Sequence, residues 1–277
     1  MATSEQTKNQ KSENTEKSEN AEKSDKMQTA GVYVYGIVPA GVEPEEDASG
    51  VADGKVDVVA GGDIAALVSG MSVDRPLGKP EDLRAHANVL DGMSRVAPVL
   101  PLRFGAVLTD ADAVKEELLS AHADEFAAAL EQLEGKAQYV VKGRYVEQAI
   151  LREILEEDEQ AARLRDEIRD KSEDAGRQAR MALGELVNNA IAGKREEDTC
   201  KAVEALGGLT DSVNRREPTH EEEAVQVAVL ADVDRQDDLE RAVGALAEEW
   251  DGRVEVKLLG PMAAYDFVVT ANPAGQG

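Results

Sequence analysis

Three short runs of β-branched residues in the second half of the chain are separated by helix-period stretches of very unequal length, and this order limits the folds available. Residues 137–146 form the first run; Val225, Val227 and Val229 mark the second, and Val254, Val256 and Leu258 the third. Alternation of this kind reads as strand. Between the first two runs, residues 147 to about 193 are almost all helix formers. Leu151, Ile154, Ala161, Ile168, Ala175, Ala179, Ala182, Leu186 and Ile191 drift around a period of about 3.5 to 3.6 residues. Acidic and basic residues alternate on the other faces, as in a solvated helix or a helical hairpin, with a bend marked at Gly176. A further helix follows Asp198, placing Val203, Leu206, Leu209 and Val213 inward. A last helix carries Leu239, Val243, Leu246 and Trp250, with Asp234 as its N-cap. Strand, helices, strand, helix, strand is the element order of a ferredoxin-like layer whose first crossover has been enlarged.

The first half mixes a sheet with helices. Val32 to Val38 is β-branched and aromatic and stops at Pro39, which reads as a strand. Val56 to Val59 and Ile64 to Ser69 flank Gly61-Gly62-Asp63 and read as a hairpin. Residues 80–96 take a helical period through Leu83, His86 or Ala87, Leu90 and Met93, with Glu81 and Asp82 at the positive end of the dipole. Val99 to Leu108 is apolar and extended, broken by Pro101. Thr109 and Asp112 read as a capping box for a helix with a buried stripe of Val114, Leu118, His122, Phe126, Leu130 and Leu133. That helix stops at Gly135. The expected architecture is therefore α+β in two lobes. Residues 1–28 form a disordered tail, 29–134 an N-terminal mixed α/β sheet domain, and 135–277 a C-terminal ferredoxin-like domain with long helices.

The tail is Lys, Glu, Ser, Asn and Thr in a six-residue near-repeat from Lys11 to Asp25, with nothing to offset the entropy of ordering it. Its charges nearly cancel, so almost all of the formal charge of −25 lies on the folded part. A surface that negative repels phosphate backbones and anionic lipid, which argues against nucleic acid and membrane partners. The lone cysteine, Cys200, forms neither an internal disulfide nor a thiolate cage, and no apolar run reaches the ~20 residues that span a bilayer. A cytoplasmic location is expected.

A search for chemistry returns little. His86 and His122 fall on the apolar sides of helices, His220 lies in a polar loop, and no HxxxH, ExxH or HxH spacing supports a metal. There is no GxSxG, no Walker spacing after Gly61-Gly62 and no CxxC. Most carboxylates, such as Glu156 to Glu159, lie on solvated faces. No catalytic residue, cofactor or metal is assigned. Two segments stay unexplained by composition. In residues 99–105, Arg103 and Phe104 sit among apolar residues, and a buried guanidinium there needs a carboxylate or carbonyl partner. In residues 260–268, Gly260-Pro261 leads into an aromatic strand with Tyr265 and Phe267, which suits protein contact.

Together with Tyr35-Gly36-Ile37-Val38 these segments resemble the gas vesicle accessory protein F/L family. Family members open with a Tyr-Gly-Ile/Val strand. Their Gly-Asp-Ile/Leu-x-Ala-Leu-Val-Ser segment is matched at residues 62–69, and their His-x-x-Val-Leu helix at residues 86–90. Their Val-Leu-Pro-Leu-Arg-Phe-Gly stretch is matched at residues 99–105. The family ending Gly-Pro-Trp-Pro-Pro-Tyr-Ser-Phe-Val is approximated at 260–268, with Met262, Ala263 and Ala264 in place of Trp-Pro-Pro and Asp266 in place of Ser. The middle helices lack the family's Gly-x-x-Tyr-Leu element.

The resemblance implies a non-enzymatic accessory factor for gas vesicle assembly. Such a factor binds the small hydrophobic shell protein and other accessory proteins during nucleation or growth, and is cytoplasmic and vesicle-associated. Arg103, Phe104, Gly260, Pro261, Tyr265 and Phe267 are the candidate protein-binding residues. A second reading is an enzyme or ligand-binding protein on a ferredoxin-like scaffold, using Arg103 with His86 or His122 in a pocket between the lobes.

Overall fold

The computed structural model describes residues 30–268 apart from 46–47, 73, 170 and 173–174. The expected tail, residues 1–28, lies outside the described residues. The chain divides into two units, one up to Glu134 that also takes back the chain from Val268, and one from Gly135 to Phe267. Each is an α+β unit built on an antiparallel sheet.

In the first unit β1 (Ala30–Pro39) is central, with β2 (Val56–Gly61) and β3 (Ile64–Ser72) forming the hairpin read from the sequence. Gly61 pairs with Ile64, so the turn is Gly62-Asp63, and Gly62 takes a left-handed φ of 71° that suits glycine. The sheet order is β2-β3-β1-β4, with β4 (Leu100–Pro101) and β5 (Val107–Leu108) both pairing with β1. The extended segment expected over 99–108 is thus two brief pairings around a turn. Helix α1 (Pro80–Met93) packs on one face of the sheet. The segment from Ala111 to α2 (Ala123–Gln132) packs on the other, where Val114, Leu118, Phe126 and Leu130 meet Val34, Ile37, Ala66 and Val68.

A bulge at Tyr35 sets which side chains face which helix. The register with β3 slips between Val34 and Gly36, so Val34 and Ile37 share the face toward Phe126 although they are three residues apart. Helix signals were misplaced in three respects. Leu83 is 48% exposed while Asp82 is buried, because the buried stripe of α1 runs Asp82, His86, Val89, Leu90 and Met93. The cap of the next segment is Asp110, whose Oδ1 accepts from the Ala113 N–H at 2.8 Å, rather than Thr109 with Asp112. That segment is also not one helix: a wide π turn over Val114–Leu119 and a tight turn over Ser120–His122 precede α2, and this shift of period leaves His122 half-exposed.

The second unit has sheet order β7-β8-β6-β9, formed by β6 (Lys136–Tyr145), β7 (Ser212–Arg215), β8 (Glu223–Asp232) and β9 (Val254–Met262). Helices α3 (Glu147–Glu157), α4 (Glu159–Arg169) and α5 (Arg177–Leu206) connect β6 to β7, and α6 (Gln236–Glu249) connects β8 to β9. Tyr139, Val141, Val227 and Val229 on the sheet meet Ile150, Ile154, Leu206, Leu239 and Trp250 from the helices. The long helical stretch breaks at Asp158, whose carboxylate caps α4 through the Gln160 and Ala161 N–H groups. Gly176 does stand at the start of α5. Across Asp198 there is no new helix; α5 runs through it and ends at Leu206. Val213 lies in β7, 37% exposed, instead of on a helix face. Asp234 falls in a short 3-10 turn ahead of α6, so it is not that helix's N-cap.

Candidate functional site

Residues 33, 35, 86 and 104 form an aromatic cluster beneath α1. Alternation in β1 points Tyr33 and Tyr35 at His86, with ring centroids 5.8 and 5.7 Å away, and Phe104 meets His86 edge-on at 5.6 Å. His86 Nδ1 lies 2.9 Å from the Tyr33 hydroxyl, and the ring also hydrogen-bonds the Leu102 backbone. Burial outweighs that backbone bond and pulls the imidazole down to about 4, so the ring is neutral. A neutral ring has a single N–H; with that N–H given to the Leu102 carbonyl, Nδ1 is the acceptor facing Tyr33. The Tyr33 hydroxyl therefore donates to His86 and accepts from the Gly105 N–H at 3.1 Å. Tyr35 is held likewise: its hydroxyl accepts from the Val51 N–H and shares a hydrogen bond with Ser69 Oγ, both at 2.7 Å. Burial pushes both phenols up.

The His86 ring is thus held in the core by Tyr33 and by the Leu102 backbone. Arg103, expected to be buried, is exposed, because the chain turns between β4 and β5 and its side chain leaves the core while Leu102 stays in it. Phe104 is half-buried against Tyr33. His122 sits with Glu125, at 3.4 Å, rather than in the cluster. No group of three or more His, Cys, Asp or Glu side chains among the described residues is placed to hold a metal.

Asp82, next to the cluster on α1, is 1% exposed. Burial pushes its carboxyl up, but hydrogen bonds from Arg75 Nη2 at 2.9 Å and from the Lys79 and Gly78 N–H groups outweigh it and hold it low. The C-terminal half of α1 and the loop before β2 flank a groove of about 510 Å³, lined by Val42, Pro44, Val89, Met93 and Val96 together with Glu43 and Glu45. Val96 is 72% exposed there.

The second unit holds a charged network that sequence inspection missed. Asp198, 3% exposed on α5, accepts from Tyr145 Oη at 2.8 Å and from Arg253 Nη1 at 3.0 Å. Arg253 also donates Nε to Glu153 at 2.6 Å and lies over the Tyr145 ring. Lys194 bridges Glu153 and Glu157. Burial pushes the Glu153 carboxyl up, yet the bonds from Arg253 and Lys194 prevail and hold it low. These groups line a cleft of about 580 Å³ over Trp250. Arg253 and Lys194 hold Asp198, Glu153 and Glu157 together, so the arrangement clamps α3 and α5 to the β9 entry.

At the other end of β9, Gly260 lies so close to β6 that a Cβ would stand 2.8 Å from the Tyr139 ring and 2.9 Å from the Gln138 carbonyl. The strand ends at Met262. Residues 263–268, expected as an aromatic strand, form a turn, because Asp266 anchors them away from the ladder. The Asp266 N–H donates to Gln138 Oε1 at 2.9 Å, and its carboxylate accepts from Arg216 and Asn214. This leaves Pro261, Tyr265 and Phe267 half-buried at the surface and Gly260 exposed.

Comparison with known proteins gives concordant results. The family model described as "Gas vesicle synthesis protein GvpL/GvpF" matches residues 31–269. Gas vesicle protein F of a Streptomyces species is 31% identical over 241 residues, covering 85% of this chain and 98% of that protein. Gas vesicle protein F of a Nostoc species is 21% identical over 243 residues, covering 86% and 98%. The crystal structure of GvpF from an Anabaena species superposes with a TM-score of 0.72 at 21% identity, covering 88% of this chain and all of that one. That of Microcystis aeruginosa GvpF gives 0.67 at 20%, covering 86% and 98%.

Proposed function

This chain belongs to the GvpL/GvpF family of gas vesicle synthesis proteins, and on that premise we propose that it is a non-enzymatic accessory factor that binds the hydrophobic shell protein and other accessory proteins during vesicle nucleation or growth. Membership implies a role in gas vesicle formation with gas vesicle proteins as partners. The observation that carries the reading is the extent of the match: residues 31–269 include both units, so the chain has the parts that its relatives have. The second unit is read as ferredoxin-like with an enlarged crossover. Support comes from its sheet order, in which the first and third strands are central and helices link first to second and third to fourth. We assign the protein to the cytoplasm, associated with vesicles; no described helix is long and apolar enough to cross a membrane.

For the contact surfaces we favour Arg103 with Phe104, and the C-terminal turn from Gly260 and Pro261 to Tyr265 and Phe267. Half-buried aromatics beside exposed backbone suit anchoring in an apolar partner. The groove along α1 is a further apolar surface in keeping with a hydrophobic client.

The test is a pull-down with the full chain as bait against the shell protein and the accessory proteins of the same genome. Shell protein is expected on the bait, and Tyr265→Ala or Phe267→Ala is expected to weaken capture about tenfold without lowering the melting temperature. Capture of neither class by folded bait overturns the proposal. Capture that both substitutions leave unchanged removes the C-terminal turn from it.

A further inference from the structure

Strand β9 is an edge strand, and its free side is self-complementary. The phase of the ladder decides which backbone groups are free. Val233 N–H bonds the Gly135 carbonyl, so odd-numbered residues of β6 address β8 and even-numbered ones address β9; the Val146 N–H on the Arg253 carbonyl agrees. Glu255 and Lys257 stand opposite Arg144 and Lys142, so they bond β6. Val254, Val256 and Leu258 therefore turn their carbonyls outward, and Val256 and Leu258 their N–H groups as well, while the Val254 N–H is taken by the Trp250 carbonyl. None of these outward groups has a partner among the described residues.

We propose that two copies of this chain associate by pairing β9 with β9 antiparallel about a two-fold axis at Val256. In that register Val256 N–H and C=O bond reciprocally across the axis, and each Leu258 N–H bonds the other copy's Val254 carbonyl. Glu255 of each copy then faces Lys257 of the other on the solvent side, where both side chains are exposed. The neighbouring registers also match donors to acceptors, but they set Glu255 against Glu255 or Lys257 against Lys257. Charge therefore selects the register at Val256. On the inner face the pairing continues the sheet and covers the half-buried Val256 and Leu258.

A lysine and a Gly-Pro step are also devices that keep an edge strand from pairing. Two features distinguish this edge: Glu255 lies on the same face two residues before Lys257, and Gly260-Pro261 lies beyond the paired segment. A strand edge alone covers less than the ~1,200 Å² of standard interfaces, so the dimer is weak and concentration-dependent. The charge of −25 on each copy opposes it further at low salt.

The proposal does not rest on the vesicle role, and the test is sedimentation equilibrium of the full chain up to about 1 mM in ~0.15 M salt. A reversible dimer is expected. Lys257→Glu and Glu255→Lys should each weaken it about tenfold, and the double exchange should restore it. Val256→Pro removes the donor on the axis without touching the β6 ladder, and should abolish the dimer while circular dichroism stays native. A monomer throughout, a dimer indifferent to the single reversals, or a double exchange that fails to restore it overturns the proposal.

Discussion

A histidine among tyrosines invites a catalytic reading, and at this position it is a buried part of the core. His86 Nδ1 faces the Tyr33 hydroxyl, and protonation of the ring is opposed by burial. Its folded value of about 4 lies below the ~6.5 of an unfolded histidine, so the native state favours the neutral ring. The resulting stability is complete above the unfolded value and is lost as pH falls from there through the folded one. Between pH 7 and pH 5 the loss from this residue should be about 2 kcal/mol. Urea unfolding at the two pH values checks this: His86→Gln should lower stability by about 1–3 kcal/mol at pH 7 and reduce the pH dependence in that window. Equal pH dependence in both proteins counts against a buried neutral ring.

Among the elements, the junction of α3, α5 and the β9 entry depends on charge more than on apolar packing. Asp198 is almost wholly buried and is held by Tyr145 and Arg253. Arg253→Met leaves Asp198 and Glu153 without their shared cation, so a loss of about 3 kcal/mol is expected. Tyr145→Phe keeps the packing and should cost about 1.5–3 kcal/mol, since the lost bond was to a charged acceptor. Thermal or urea unfolding measures both, and a neutral Arg253→Met would mean that Lys194 and solvent suffice. The same scale explains why the helices could be found but not delimited. Helix formers continue through Asp158, and the break there is made by packing of the next helix along α5, with the Asp158 cap closing its first turn.

At the scale of the whole molecule, charge sets what the protein avoids. With 56 acidic against 31 basic residues, it should neither retard duplex DNA nor sediment with anionic vesicles at ~0.15 M salt. A mobility-shift assay and vesicle co-sedimentation check this; retention in either would require a basic patch that the charge balance does not suggest. Partners are then expected to be engaged through apolar and backbone contacts, for which the groove along α1 and the turn after β9 are suited.

Much of this was legible in the linear chain. Alternation and period identify β1, the β2–β3 hairpin, β6, β8, α6 and β9, because each has one face against a core and a repeat of side chains that follows from it. The ordered motifs at residues 35–38, 62–69, 86–90, 99–105 and 260–268 pointed to the family. Burial of residues that local pattern treats as polar or neutral was not legible. Asp82 goes inside because Arg75 and backbone N–H groups meet it there, and Asp198 because Tyr145 and Arg253 do. Arg103 goes outside because a turn splits an apolar run that reads as one strand. The bulge at Tyr35 and the exposure of β9 belong to the same class, since both depend on which strands lie alongside. Periodicity is a property of one segment and its own faces. Burial of a charge and availability of an edge are properties of neighbours distant in sequence, and only the tertiary structure brings those together.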